Sequence, residues 1–359
     1  MKTVSDVLSR DNNNLDLIRI VAAVMVIYGH SFFLANNHGA RELITQFFPF
    51  TYSGSIAVKI FFFISGLLVT TSLIRTQSVP KFVISRFFRI YPAYVAVILI
   101  TSLILGPMLS SLDISTYLKG DSLFRYIYGN LQLNVQHVLP GLFSDNIYKS
   151  AVNGSLWTIY YEVCAYVSIL ALFAVTGLKN KNITTLTCIV VIVLPVFGWN
   201  SYVFINSTNK DIFLLPPCFA LGVIYAVNKE KISVNLLIPV GFFAFYCIVN
   251  NIVIKQIMFY FSLCTLSLYI SSLQFILKIK IKIKNDISYG VYLWGFFVQQ
   301  CVYKFLPNIS LISNQIISIA LSMCIAYVSF ITIEKPCITL SKRLNNLVLI
   351  KKNNKPYKL

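Results

Sequence analysis

The sequence predicts an all-α integral membrane protein of about ten transmembrane helices, with both termini cytoplasmic. Three observations lead there. Of 359 residues, 57% are hydrophobic and only 12% are charged, which is not the composition of a soluble domain. Apolar runs of about 20 residues recur along the chain, and each is long enough to cross ~30 Å of hydrocarbon. The basic residues collect in every second connection.

The runs fall at 15–35, 54–74, 91–111, 156–176, 183–199, 212–228, 235–250, 257–277, 287–305 and 311–333. The connections are short and polar, apart from the stretch 112–155, whose length points to function. No soluble domain and no internal repeat is visible. The chain therefore reads as one transmembrane domain, 1–359, ending in a short basic tail from about 337 to 359, without a fused extracytoplasmic domain.

The net charge of +18 would suit a nucleic-acid partner, but its distribution excludes that reading. With the N-terminus inside, the inner connections hold clusters: Arg75, Lys81, Arg86 and Arg89; Lys278, Lys280, Lys282 and Lys284; and the tail from Lys335. Outer loops hold isolated charges such as Arg41, Lys119, Lys210 and Lys255. That asymmetry is the positive-inside pattern, and the clusters suit anionic lipid headgroups. The eight cysteines are scattered without a C-x-x-C pair. They read as small apolar residues rather than a disulfide framework or a metal site, and no metal is expected.

Ionisable groups inside the runs are costly and mark sites by default. Arg19 and His30 lie eleven residues apart, three turns plus about 20°, so they share one helix face ~16 Å apart. Arg19 either snorkels to the inner headgroups or faces the interior. His30 is either a neutral packing histidine or a base, and the shared face favours function. Arg86 and Arg89, at i and i+3 in SRFFRIYP, form a fork suited to phosphate or simply obey the positive-inside rule. Pro92 suits the first turn of the third span.

In NGSLWTIYYEVCAY, Ser155 is positioned to cap the fourth span. Trp157 suits the outer interface, and Glu162 lies ~10 Å deep, where a carboxylate needs a partner. His30 stands at a similar depth in the outer half, and so does Lys59. Either could be that partner, and Lys59 could instead snorkel outward. Ser65 and Gly66 interrupt a bulky run, which allows close helix packing or lines a substrate path. In NDISYGVYLW, Asp286 is a plausible cap, with Ser288, Tyr289 and Gly290 in the first turn of the ninth span.

Together these segments resemble the acyltransferase-3 family of integral membrane enzymes, which modify surface carbohydrates. The matching pieces are the Arg19–His30 spacing, FFFISG around Ser65, the Arg86–Arg89 pair, SLWTIYYE ending at Glu162, DISYGVYL, and Glu334-Lys335-Pro336. They occur in the family's order along nearly the whole chain. The resemblance implies acetyl-CoA as the usual donor and acyl transfer to a sugar hydroxyl. It places a catalytic histidine on His30 with Arg19 as its partner, the paired arginines on Arg86 and Arg89, and polar motif positions on Trp157 and Glu162. Many members carry a histidine where this chain has Gly295, and some carry an esterase-like domain after the spans, so this chain is expected to act alone or with a separate partner.

The combined expectation is an O-acetyltransferase of the bacterial inner membrane, acting on lipopolysaccharide O-antigen or a similar lipid-linked or polymerised glycan. His30, Arg19 and Glu162 are the catalytic candidates. Arg86, Arg89 and Arg19 would hold the acyl-CoA, and Trp157, Lys59, Ser65 and Tyr289 would contact substrate. The rivals are the same fold with succinyl-CoA or another donor, and a glycolipid flippase or other transporter.

Overall fold

A computed structural model describes residues 2–9, 12–35, 41–199, 210–278 and 286–353. Lys280, Lys282, Lys284 and the last residues of the tail lie outside them. Every regular element among the described residues is helical, and the Thr3–Ser233 bridge is isolated. The principal helices are α1 (Leu15–Leu34), α2 (Ser53–Thr76), α3 (Val79–Leu99), α4 (Asp121–Leu131), α5 (Trp157–Thr176) and α6 (Lys181–Val193). They continue with α7 (Leu215–Val227), α8 (Leu237–Ile248), α9 (Ile252–Ser271), α10 (Ser288–Phe305), α11 (Leu311–Ser329) and α12 (Lys335–Asn353).

Among the described residues, six helical stretches are long and apolar enough to cross a membrane: Leu15–Leu34, Ser53–Thr76, Val79–Leu109, Trp157–Thr176, Ile252–Ser271 and Leu311–Leu347. The expected spans at 183–199, 212–228 and 235–250 are shorter helices. The expected ninth span, α10, has the length, but its Gln299 and Gln300 lower its hydropathy and it is buried almost end to end.

The third span begins earlier than expected. Gln77 closes α2 in a left-handed conformation, and Pro80 occupies the first turn of α3. Pro92 therefore stands inside the helix rather than at its start. Beyond Leu99 the helix widens into a π turn, Ile100–Leu105, where the Thr101 and Ser102 hydroxyls donate to the Val97 and Ile98 carbonyls. The stretch 112–155 is partly helical: Asp113 caps a short helix at Ile114–Lys119, and α4 follows.

The chain divides into two compact units. The first comprises Met1–Met25, Phe47–Gln77 and Tyr161–Lys284. Its centre is the α2–α7 contact, where backbones touch: a Cβ on Gly66 would strike the Phe219 carbonyl, and one on Gly222 would strike the Phe63 carbonyl. The small residue expected to permit close packing at Ser65–Gly66 is thus Gly66.

The second unit comprises Val26–Gln46, Ser78–Tyr160 and Asn285–Leu359. Its core helix is α10, which packs against α11 with Gly290 facing Ala326. Tyr91 and Tyr94 donate to the Leu131 and Asn130 carbonyls and fix α4 on α3. Asn345 of α12 donates to Ser85 of α3 at 2.9 Å.

Candidate active site

In the second unit, His30 lies on a turn of α1 that is bonded to its neighbours. Gln299 donates to the Ile27 carbonyl at 2.9 Å, and Gln315 donates to the Ser31 hydroxyl at 2.7 Å. The imidazole itself is not so engaged. It meets the Phe296 ring edge-on, with centroids 5.3 Å apart, and its buried Nδ1 has no hydrogen-bond partner among the described residues. A braced backbone turn thus presents an imidazole with an uncommitted ring nitrogen. Gly295 explains one departure from the family pattern: a Cβ there would come within 2.6 Å of Ile27, so α10 approaches α1 where a histidine would need room. Arg19 is half-buried on the same continuous helix, which preserves the three-turn spacing.

The turn leading to α5 is made by Asn153 rather than Ser155. The Asn153 side chain accepts from the Ser155 N–H at 3.0 Å and donates to the Leu293 carbonyl at 2.8 Å. The Ser155 hydroxyl, expected to cap the helix, has no hydrogen-bond partner among the described residues. Asparagine two residues upstream offers the better local turn. Tyr292 then donates to the Ser155 carbonyl at 2.8 Å and sits 2.6 Å from the Thr158 hydroxyl. Trp157 is half-buried at the start of α5.

In the first unit, Glu162 accepts from the Tyr166 hydroxyl one turn along α5. Tyr166 lies 3.1 Å from the Ser65 hydroxyl, and since its one proton goes to Glu162, Ser65 donates to it. Ser65 and Glu162, 97 positions apart by their numbering, are therefore joined through a residue that sequence reasoning missed.

Lys59 is engaged elsewhere. Its ammonium donates to Ser55 at 2.7 Å and to Asp211 at 3.1 Å, and lies 4.9 Å over the Tyr260 ring. Ser55 also donates to Asp211 at 2.7 Å, and Tyr260 donates to Thr51 at 2.8 Å. The Lys59 side chain is 2% exposed. The ammonium is thus satisfied inside the fold, and its counter-charge is Asp211 rather than Glu162. Asp211 was the missed partner. Its only sequence signal is its place at the head of the apolar run 212–228.

The two arginines of α3 also separate. Arg89 is bracketed by Asp286 and by Glu334, whose side chain is 1% exposed. Asp286 additionally accepts from the Ser288 N–H and hydroxyl at the head of α10, although the cap position itself falls on Ile287. Arg89 thus ties α3, the entry to α10 and the π turn Phe330–Glu334 together. Arg86, half-buried one turn earlier, makes no ion pair among the described residues. Tyr289, expected to touch substrate, donates to the Ile90 carbonyl at 3.1 Å and is buried. Its hydroxyl serves the α3–α10 contact.

A multi-pass helical membrane protein, with an unbonded histidine and the separately paired cations Lys59 and Arg89, is the class these features define. The family described as "Acyltransferase domain" matches residues 12–333, and the chain belongs to it: it is an acyltransferase. An O-acetyl transferase of Shigella phage Sf6 is 28% identical over 349 residues, covering 92% of this chain and 97% of that protein. Nodulation protein 10 of Rhizobium leguminosarum bv. viciae is 31% identical over 164 residues, 45% of this chain and 44% of that one. No solved structure matches the chain.

Proposed function

We propose that the protein is an O-acetyltransferase of the bacterial inner membrane. It moves an acetyl group from cytoplasmic acetyl-CoA to a sugar hydroxyl of a surface glycan such as lipopolysaccharide O-antigen. The observation that carries this reading is the unbonded imidazole of His30 on a braced helix turn. Support comes also from the end-to-end likeness to a protein named for O-acetyl transfer.

In the reaction, the sugar hydroxyl oxygen attacks the thioester carbonyl and His30 takes the hydroxyl proton. The C–O bond forms, the C–S bond breaks, and the proton passes to the departing thiolate. Arg86 receives the donor's phosphates as a forked charged donor. Arg89 fixes α3 so that Arg86 is presented. Glu162, oriented by Tyr166 and Ser65, positions substrate hydroxyls, and Trp157 borders the acceptor side. The charge asymmetry supports ten membrane passages, short helices included, with both termini and the arginine pair inside and the 112–155 stretch outside.

Mass spectrometry of surface glycans with and without the gene tests the reading. An added 42 Da per modified sugar, the mass of an acetyl in place of hydrogen (about one acetyl per site for a selective enzyme), is the expected result. A succinyl increment would change the donor. Altered glycan amount with no increment would favour a flippase and overturn the proposal.

A further inference from the structure

The stretch between α4 and α5 carries no regular helix through most of 132–156, yet it is pinned. Gln300 of α10 donates to the Tyr148 carbonyl at 2.9 Å and to the Ala151 carbonyl at 2.8 Å. Asn146 returns two bonds to Gln300, at 2.9 Å to its carbonyl and 2.8 Å to its side chain. Asn153 adds the bond to Leu293. The Gln300, Asn146 and Asn153 side chains are all buried, so the water-competed alternative is removed and the loop is held in one place. Glycine at position 154 leaves space for the Phe296 ring, which a Cβ there would meet at 2.5 Å.

Phe296 therefore has two neighbours of consequence. It makes an edge-to-face contact with His30 and another with Tyr148, the latter with centroids 6.1 Å apart and planes at 79°. Tyr148 differs from the buried tyrosines of this unit, such as Tyr94, Tyr117 and Tyr126: it is 45% exposed. Its hydroxyl has no hydrogen-bond partner among the described residues, since only its carbonyl is used. A rigidly mounted, outward ring stands two ring contacts from the base.

We propose that Tyr148 is an acceptor-binding residue, stacking on the C–H face of a sugar in the glycan whose hydroxyl reaches His30. The proposal rests on the acyltransferase reading above and adds to it the element that selects the acceptor. Sugars present apolar faces rimmed by hydroxyls. A tyrosine offers a matching apolar face and a polar edge at small conformational cost. Binding residues mounted on braced loops are the usual source of such selectivity.

The test uses the full chain in lipid vesicles with labelled acetyl-CoA and purified O-polysaccharide as acceptor. Tyr148→Ala is expected to raise the acceptor KM about five- to ten-fold and leave the acetyl-CoA KM unchanged. Tyr148→Phe should keep most of the wild-type acceptor KM, because the ring stays, whereas Tyr148→Leu should behave like alanine. An unchanged acceptor KM in Tyr148→Ala, or equal performance by leucine and phenylalanine, overturns the proposal. A rise in both KM values also overturns it, since that marks a general disturbance of the loop. Wild-type protein that moves no acetyl to the polysaccharide would defeat the functional reading itself, a different result from an active enzyme indifferent to Tyr148.

Discussion

Lys59 and His30 are both titratable side chains within apolar helices, and the protein treats them in opposite ways. Lys59 is surrounded: Ser55, Asp211 and the face of Tyr260 account for its ammonium. His30 has an aromatic edge beside it and no hydrogen-bond partner for its buried nitrogen among the described residues. Burying a charge without a partner is too costly to persist, so a lysine there must be neutralised. A neutral imidazole carries a smaller penalty and can wait unbonded for a substrate proton. Depth in the membrane marked both residues as sites. Partnership is what separates structure from chemistry, and Arg89 and Arg86 repeat the contrast on α3.

The comparison can be broken most forcefully at Asp211. Asp211→Ala leaves the buried Lys59 ammonium with Ser55 and the Tyr260 face but without its counter-charge, and should cost about 3 kcal/mol, the low end for breaking a buried pair because Asp211 itself is 33% exposed. It should be read as lost yield and a lower Tm in detergent. Replacing both members, Lys59→Met with Asp211→Leu, should recover much of that loss. If Asp211→Ala is as stable as wild type, Lys59 is not held as described.

The arginines sharpen the same point through two different readouts. Arg89→Ala leaves the buried Glu334 short of its partner, so folded protein in the membrane should fall markedly. Arg86→Ala should fold normally and raise the acetyl-CoA KM about ten-fold, because a charge-assisted phosphate contact contributes about 1.5–3 kcal/mol. Saturation kinetics beside membrane abundance distinguishes them. A selective KM effect in Arg89→Ala with normal abundance would reverse the assignment.

A smaller effect belongs to packing with no charge at all. Gly222→Ala should force α2 and α7 apart and cost about 1–3 kcal/mol, measured as a drop in Tm. Glycan acetylation per folded molecule should stay near wild type.

Much of this is legible in the sequence, and each departure has its own physical reason. Long apolar runs announce helices, since a helix alone satisfies every backbone group within one continuous segment in lipid. α1, α2, α5, α10 and α11 accordingly lie where the runs do, and α9 begins five residues before its run. The start of α3 was misplaced because Arg86 and Arg89 interrupt hydropathy without interrupting the helix. The three short helices are shorter than their apolar runs because a run of apolar residues includes the turns that flank a helix, as Pro195 to Phe197 do after α6. His30, Glu162 and the arginine pair were visible as costly residues. Their partners were not: Asp211, Tyr166, Phe296 and Glu334 become partners only through tertiary contacts between residues distant in the chain. Ser155 failed locally, displaced by a better turn-former two positions away.

The central claim is that the unbonded histidine performs the chemistry and the enclosed lysine holds the fold. The direct measurement is acetyl transfer per folded molecule in vesicles, comparing His30→Ala with the double variant Lys59→Met, Asp211→Leu. Loss of at least about a hundred-fold in His30→Ala at normal abundance, with the double variant within a few-fold of wild type, is the expected result. Substantial activity in His30→Ala, or a double variant that folds normally yet is inactive, would contradict it.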